Sequence, residues 1–259
     1  GSAFRYIYEY GAFLFVASIW TLYLYIKNHY KLIHVNNLPD TIIFAAIIPK
    51  FLGCKVIFDA HEAMPESFRI KFGWQENSLA DQTITSLEKF CLGLANHALT
   101  IHEPMRQLFI EKRDVPKEKI SVIMNLPDEK IFRYSDNNSN KENGKFVLVY
   151  AGTIAKRYGL QTAIRALPSL SNEIPNIQLR IIGKGDYTEE IKSLTEEMEV
   201  EDYVSFEDPV SLTEIPNIYK SSNIGISLQE GSTFGKIYFS TKVAEYLAVG
   251  LPVIVSKTD

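Results

Sequence analysis

Short apolar runs alternating with stretches of helical period constrain this chain more than any other feature. Leu32–Val35, Lys55–Asp59, His97–Ile101 and Ile120–Met124 have the length and composition of strands, and helical patterns over Thr41–Leu52, Leu79–Leu94 and Pro104–Lys112 lie between them. Parallel strands need crossover connections of about this length, so the repetition predicts a parallel sheet with helices on both faces. The pattern breaks at Tyr134-Ser-Asp-Asn-Asn-Ser-Asn-Lys-Glu-Asn-Gly-Lys145, a polar run rich in turn formers. Strands resume at Phe146–Ala151, Ile177–Ile182, Tyr203–Phe206, Ile224–Leu228 and Val253–Val255. Two α/β units of the same layout are therefore expected, residues 3–133 and 146–259, joined by a linker at 134–145. No internal sequence repeat relates them. Doubly wound sheets take ligands at the carboxyl ends of their strands, which predicts a cleft between the two units as the binding place.

One segment departs from this rhythm. Tyr10 to Ile26 carries no charge and includes Phe13, Leu14, Phe15, Val16, Ile19, Trp20, Leu22 and Leu24. It is shorter than the ~20 apolar residues that span a bilayer comfortably. A strongly buried helix is the expectation, and a membrane-lying or spanning helix the alternative. Elsewhere the 259 residues are 46% hydrophobic and 22% charged, enough for a sizeable core. A net charge of −4 gives no reason to expect nucleic acid as a partner. Cys54 and Cys91 sit in apolar runs without a His/Cys cluster, as reduced structural thiols of a cytoplasmic protein do, and no metal site is expected.

Chemistry-bearing residues gather just past strand ends. Lys242 and Glu245 are three apart in a short helix that precedes Gly250-Leu-Pro252, so both project from its first turn. A lysine there adds charge against a phosphate, and a carboxylate can accept two hydrogen bonds from a sugar diol. A solvated Lys/Glu pair is the plainer alternative. A capping box does not fit, because Thr241 lies four and Ser240 five before Glu245. Tyr150-Ala-Gly-Thr-Ile-Ala-Lys-Arg157 is a strand running into a glycine and a basic turn. Gly152 permits close backbone approach there, and Lys156 and Arg157 could clamp a diphosphate or be a solvated turn. Gly183 and Gly185 form a second glycine pair after a strand. They are not a dinucleotide fingerprint, because position 188 is Thr. In the first half, Val35-Asn-Asn-Leu-Pro-Asp40 and Phe58-Asp-Ala-His-Glu-Ala-Met-Pro-Glu66 also follow strands.

Two of these stretches carry a resemblance. Lys242-x-x-Glu245-Tyr followed by Ala248-x-Gly250-x-Pro252-Val-Ile, and Asp59-x-His61-Glu62-x-x-Pro65-Glu66, resemble the motifs of retaining family-4 glycosyltransferases of the bacterial cell-surface polysaccharide type. The resemblance implies the GT-B fold, two Rossmann-like doubly wound domains facing a cleft, with the acceptor side first and the nucleotide-sugar side second. It implies that Glu245 holds the donor ribose and that Lys156, Arg157 and Lys242 stabilise the diphosphate. Gly152, Thr153, Gly183, Gly185, Ser240 and Thr241 would line the donor. His61 would act near the donor phosphate and the reacting sugar. Asn36, Asn37, Glu62 and Glu66 fall on the acceptor side, where the two glutamates either contact the acceptor or orient the loop. Glu230-Gly231 to Gly235 falls where relatives hold sugar and phosphate through backbone N–H groups. Asn125-x-x-Asp128 resembles the family's entry to the linker and is read as structural.

Such an enzyme uses no metal or cofactor, with a UDP- or GDP-sugar as donor and a carbohydrate or lipid-linked hydroxyl as acceptor. The N-terminal aromatic density leaves a peripheral association with the inner face of the membrane open. Against the family pattern, the first strand and its glycine loop are missing before Ala3 and the closing helices after Asp259. Ile237 also stands where many relatives have glutamate. A non-catalytic sugar-nucleotide-binding relative is the second reading. A Rossmann oxidoreductase is disfavoured, because no complete Gly-x-Gly-x-x-Gly follows a strand.

Overall fold

A computed structural model of the chain describes residues 3–134, 144–229 and 240–257, with side chains from Tyr8 onward. Most of the expected linker and the loop from Glu230 to Phe239, with Ile237, lie outside the described residues. Two compact units divide between Met124 and Asn125. The segment after Met124 belongs with the second unit for a packing reason. Phe132 is buried in that unit's core, its ring 6.4 Å from Tyr219.

The first unit opens with α1 (Ala3–Asn28) and carries a parallel sheet in the order β1 (Leu32–Asn36), β2 (Lys55–Ala60), β3 (His97–Thr100), β4 (Ile120–Val122). The register pairs Val35 with Phe58 and Asn36 with Asp59. Because side chains alternate across a strand, Val35, Val56, Phe58, Ala60 and Ala98 all point into one core. The opposite face, with His34, Ile57 and Asp59, is half-buried to exposed among the described residues. α4 (Leu79–Leu94) and α5 (Glu103–Arg113) supply Cys91, Leu92, Met105 and Phe109 to the same core.

Three departures from the sequence reading have local causes. The helix expected over Thr41–Leu52 is a 3-10 segment, Asp40–Ala46, running into a short α2, Ile47–Phe51. Pro49 sits inside that stretch, and a proline removes the donor that a continuous α-helix needs from its fifth residue back. The loop that carries Glu62 does not extend to Glu66. Pro65 lies in the first turn of α3 (Met64–Phe72), where its missing N–H costs nothing, and Glu66 is already helical. Finally, α1 is not a buried core helix among the described residues. It packs beside the 3-10 segment, and Tyr25 donates its hydroxyl to the Leu52 carbonyl at 2.9 Å. Phe13, Phe15, Val16, Ile19 and Trp20 are exposed. Tyr8–Asn28 is, by length and composition, apolar enough to cross a membrane.

Three helices of this unit are joined by a buried charge cluster. Arg113 at the end of α5 donates through Nη2 to both Glu66 oxygens, at 2.9 and 2.8 Å, and through Nε to Glu88 of α4. Glu88 accepts in turn from the Met64 N–H at 2.7 Å, which fixes the start of α3. Buried Asp40 lies close enough for Arg113 to lower its pKa, and Glu66 also lies 3.8 Å from Arg69 Nη1. Burial raises Asp40 to about 7, against the Asn37 hydrogen bond and the Arg113 charge. Burial likewise raises Glu88, to about 8, against Arg113. The Asp40 Oδ2 is buried without a hydrogen-bond partner.

The second unit is wound on both faces. Its sheet runs β7 (Val204–Glu207), β6 (Ile177–Ile182), β5 (Phe146–Ala151), β8 (Ile224–Ser227), β9 (Val253–Val255), all parallel. Leu148, Tyr150, Leu179 and Ile181 face one core with α6 (Leu160–Glu173) and α7 (Thr188–Glu197). Val149, Ala151 and Ile182 face another with α8 (Ile215–Lys220) and α9 (Thr241–Ala248). Burial on both faces explains why Phe146–Ala151 is apolar throughout instead of alternating. The strand order reverses between β5 and β8.

Arg113→Ala leaves buried carboxylates without their counter-charge and should cost about 3–5 kcal/mol, read as a fall in the urea midpoint. Asp40 gives a pH signature as well. Its folded pKa lies above its unfolded value, so between pH ~4 and ~7 the unfolded chain has lost a proton that the folded chain keeps, and stability falls as pH rises through that window. Urea midpoints at pH 5 and pH 8 should differ less in Asp40→Asn than in the wild type, with Glu88 supplying the remaining slope.

Candidate functional site

A reversal in strand order leaves a crevice outside the carboxyl ends of the two strands that flank it, since their crossovers leave in opposite directions. In the second unit those strands are β5 and β8. A cavity of about 440 Å³ opens beside them, at the carboxyl ends of β5 and its other neighbour β6, lined by Gly152 and Thr153 after β5, Gly183 and Lys184 after β6, Val210 and Tyr219, and Thr241, Lys242 and Glu245 of α9. Of the donor-side residues expected from sequence, Gly152, Thr153, Gly183, Thr241, Lys242 and Glu245 meet on this one wall. Gly185 and Ser240 stand behind it. A Cβ on Gly185 would come within 1.9 Å of the Ile154 carbonyl oxygen. The buried Ser240 hydroxyl accepts from Ser227 at 3.0 Å, so it does not cap α9.

The glycines are explained by two loops that meet backbone to backbone. Gly152 N–H donates to the Ile182 carbonyl at 2.9 Å and Ile154 N–H to the Lys184 carbonyl at 3.1 Å. Gly183 has φ +141°, and a Cβ there would lie 2.0 Å from the Gly152 carbonyl oxygen. No side chain fits that gap.

Lys242 reaches over this floor from α9. Its ammonium sits 5.1 Å from the Tyr150 ring centre and 4.7 Å from that of Tyr158. Two aromatic faces hold a cation electrostatically without taking its hydrogen-bond donors. Burial, helped by the charge of Arg157, keeps Lys242 below the usual lysine pKa, while Tyr158 and Glu245 pull the other way. Glu245, one turn further along α9, accepts from the Tyr219 hydroxyl at 3.1 Å. Burial raises its pKa, opposed by that hydrogen bond and by Lys242. Tyr219 is itself fixed by the Tyr246 ring, 4.5 Å between centres. Sequence reading gave none of these four tyrosines a role at the site. Tyr158 could have been found, since it follows Lys156-Arg157 directly. Tyr219 lies on another helix with nothing in its spacing to link it to Glu245.

Lys156 and Arg157 form an exposed 3-10 turn that does not line the cavity. Arg157 stacks on the ring of Tyr158 at 4.7 Å, so its nearest described role is to back the tyrosine that holds Lys242.

In the first unit, Asn36 is exposed at the end of β1, where it pairs in register with Asp59. Asn37 turns inward and holds the next loop. Its Oδ1 accepts from His61 N–H at 2.8 Å, and its Nδ2 donates to the Glu62 carbonyl at 2.6 Å and to Asp40 Oδ1 at 3.1 Å. His61 Nε2 is 3.2 Å from Asp59 Oδ2. Glu62 is exposed and accepts from the Ser67 hydroxyl at 2.7 Å. Glu66 is buried, with both oxygens committed to Arg113. Among the described residues no group of three His, Cys, Asp or Glu side chains is arranged to hold a metal ion.

Comparison with known proteins bears on both units. Residues 2–129 match the family described as Glycosyltransferase Family 4, and residues 132–259 the family described as Glycosyl transferases group 1. Spore coat protein SA of Bacillus subtilis is 21% identical over 250 residues, covering 89% of this chain and 60% of that protein. Among solved structures, Anabaena HepE in complex with UDP-glucose superposes with a TM-score of 0.70 at 17% identity, over 93% of this chain and 63% of that one. Sucrose-phosphate synthase from Thermosynechococcus elongatus gives 0.69 at 19% identity, over 94% and 60%. The chain thus spans about three-fifths of the length of these relatives.

Gly183→Ala combines a clash with a left-handed backbone and should destabilise the protein by more than ~2 kcal/mol in urea unfolding. Gly93→Ala, in the last turn of α4 with open space where its Cβ would go, should instead be neutral or stabilising by up to ~1 kcal/mol.

Proposed function

Since the chain belongs to the family-4 glycosyltransferases, a group of GT-B fold, we propose that it serves the transfer of a sugar from a nucleoside diphosphate to a hydroxyl, with retention of configuration. One observation carries this reading: Lys242 and Glu245 stand one turn apart on α9, both lining the cavity at the carboxyl ends of β5 and β6 in the second unit. That cavity has room for a nucleotide, and α9 brings the Lys242 cation and the Glu245 carboxylate to it, with Lys184, paired to Asp208, also in the lining.

In this reading Glu245 accepts hydrogen bonds from the ribose diol, its oxygens oriented by Tyr219. Lys242 meets the diphosphate, with the glycine floor of Gly152 and Gly183 letting phosphate oxygens approach the backbone. The anomeric carbon–oxygen bond to the diphosphate breaks, the acceptor oxygen bonds to that carbon, and the acceptor's proton ends on the departing nucleoside diphosphate. Charge builds on that leaving group, so a preorganised ammonium stabilises the transition state more than the ground state. His61 is an imidazole able to donate to phosphate or relay the proton. Lys156 and Arg157 act from the turn behind Tyr158. Asn36 and Glu62 take the acceptor side, whereas Asn37 and Glu66 orient the loop between them.

UDP is favoured as the nucleotude carrier by the UDP-glucose in the HepE structure. Two buried free cysteines fit a reducing, cytoplasmic compartment. The exposed Trp20 and Tyr23 of the apolar α1 support an acceptor on a lipid at the inner face of the membrane.

Calorimetric titration with UDP-glucose, GDP-glucose and ADP-glucose tests the donor site. One donor should bind saturably to the wild type. Glu245→Ala should abolish that binding, and Lys242→Ala should weaken it about 10- to 100-fold, the worth of a charge-assisted hydrogen bond. Equal binding by wild type and Glu245→Ala would remove the nucleotide from this cavity. Donor binding without any product on a panel of carbohydrate and lipid acceptors would favour the non-catalytic alternative.

A further inference from the structure

The reading above gives His61 a role but does not say what sets its ring. His61 follows β2, and two features of the first unit converge on it. The backbone of its loop is clamped by Asn37, whose Oδ1 accepts from both His61 N–H at 2.8 Å and Glu62 N–H at 3.4 Å. The same side chain returns a donor to the Glu62 carbonyl at 2.6 Å. Asn37 is anchored in turn, since its own N–H donates to the Asp59 carbonyl at 3.1 Å. The second feature concerns the imidazole. Asp59 is on β2, on the sheet face away from the core, and its Oδ2 lies 3.2 Å from His61 Nε2. On its other side the same oxygen lies 3.1 Å from His34 Nε2, a residue of β1. Asp59 is mostly covered, its side chain 18% exposed against 38% for His61 and 51% for His34.

We propose that Asp59 is the positioning carboxylate for His61 and Asn37 the clamp on its backbone, so that the imidazole is held in one orientation and one tautomer before any substrate arrives. The inference deepens the proposed function and rests on the assignment of His61 to the reaction. The physical argument is short. A carboxylate accepts and does not donate, so a ring nitrogen 3.2 Å from it with a lone pair turned to it would be repelled. In the neutral ring of His61, Nε2 therefore carries the hydrogen and Nδ1 the lone pair. The same holds for His34, whose bond to the same oxygen also limits how far Asp59 can turn. A carboxylate behind an imidazole fixes tautomer and ring angle together, and losing such a partner commonly costs 10- to 100-fold in function.

Tautomers are assigned from long-range 1H–15N couplings in the NMR spectrum of the protein at pH 8. His61 in the wild type should be the Nε2–H form, and an Nδ1–H form would overturn the proposal without any variant. In Asp59→Asn, whose amide can donate as well as accept, that bias should be lost. Transfer by the variant should fall about 10-fold or more in kcat, with the donor KM within about 3-fold of wild type. A folded Asp59→Asn with the tautomer unchanged would refute the assignment. His34→Ala separates the two imidazoles on the shared oxygen. His61 should keep its Nε2–H form there, and its loss would mean that His34, not Asp59, sets the ring. These spectra do not depend on catalysis. A wild type with the expected tautomer but no transfer would count against the functional reading and leave the positioning pair standing.

Discussion

Parallel pairing is the constraint from which the rest of this protein follows. Strands that run the same way must be joined by crossovers, so every loop leaving a strand emerges at the same edge of its sheet. In the second unit that edge collects the turns after β5 and β6, and the cavity opens there beside α9. The first unit obeys the same rule, which is why Asn37 after β1 and His61 after β2 come within hydrogen-bond distance although 24 residues separate them.

Each candidate site is then made specific by what stands behind it. Lys242 would be an ordinary surface lysine without Tyr150 and Tyr158 on either side. Glu245 takes its orientation from Tyr219, which is wedged against Tyr246. In the first unit the loop carrying His61 is tied down at Asn37 and, three residues later, by the bond from Met64 N–H to Glu88. The buried Arg113 cluster beneath it holds α3, α4 and α5 together. Replacing such a cluster with apolar residues often matches its stability, so its value here lies in fixing where α3 begins.

The glycine pair of the second unit shows how a weak sequence signal can have a strong physical cause. Gly183 and Gly185 do not form a phosphate-binding fingerprint, and their spacing alone argues for little. In the fold they are required because two adjacent strand-end loops approach through their backbones, leaving no volume for a Cβ. The basic turn is the reverse case. Lys156 and Arg157 look like a diphosphate clamp in sequence, yet the tyrosine that follows them is the residue in contact with the site lysine.

The sequence by itself determined the α/β class, the parallel sheets, nearly every strand and the helical turn that carries Lys242 and Glu245, because hydrophobic period and turn chemistry are local properties. It also marked His61 and its acidic neighbours through a motif. Only the tertiary structure decided that α3 starts at Met64, that Glu66 is spent on Arg113, that Asn37 is a clamp, and that Tyr150 and Tyr158 hold Lys242 while Tyr219 holds Glu245. It also decided that α1 is exposed, since burial depends on what packs beside a helix and not on its own composition. These partners lie tens of residues apart, and no spacing rule joins residues brought together by strand register and crossover direction.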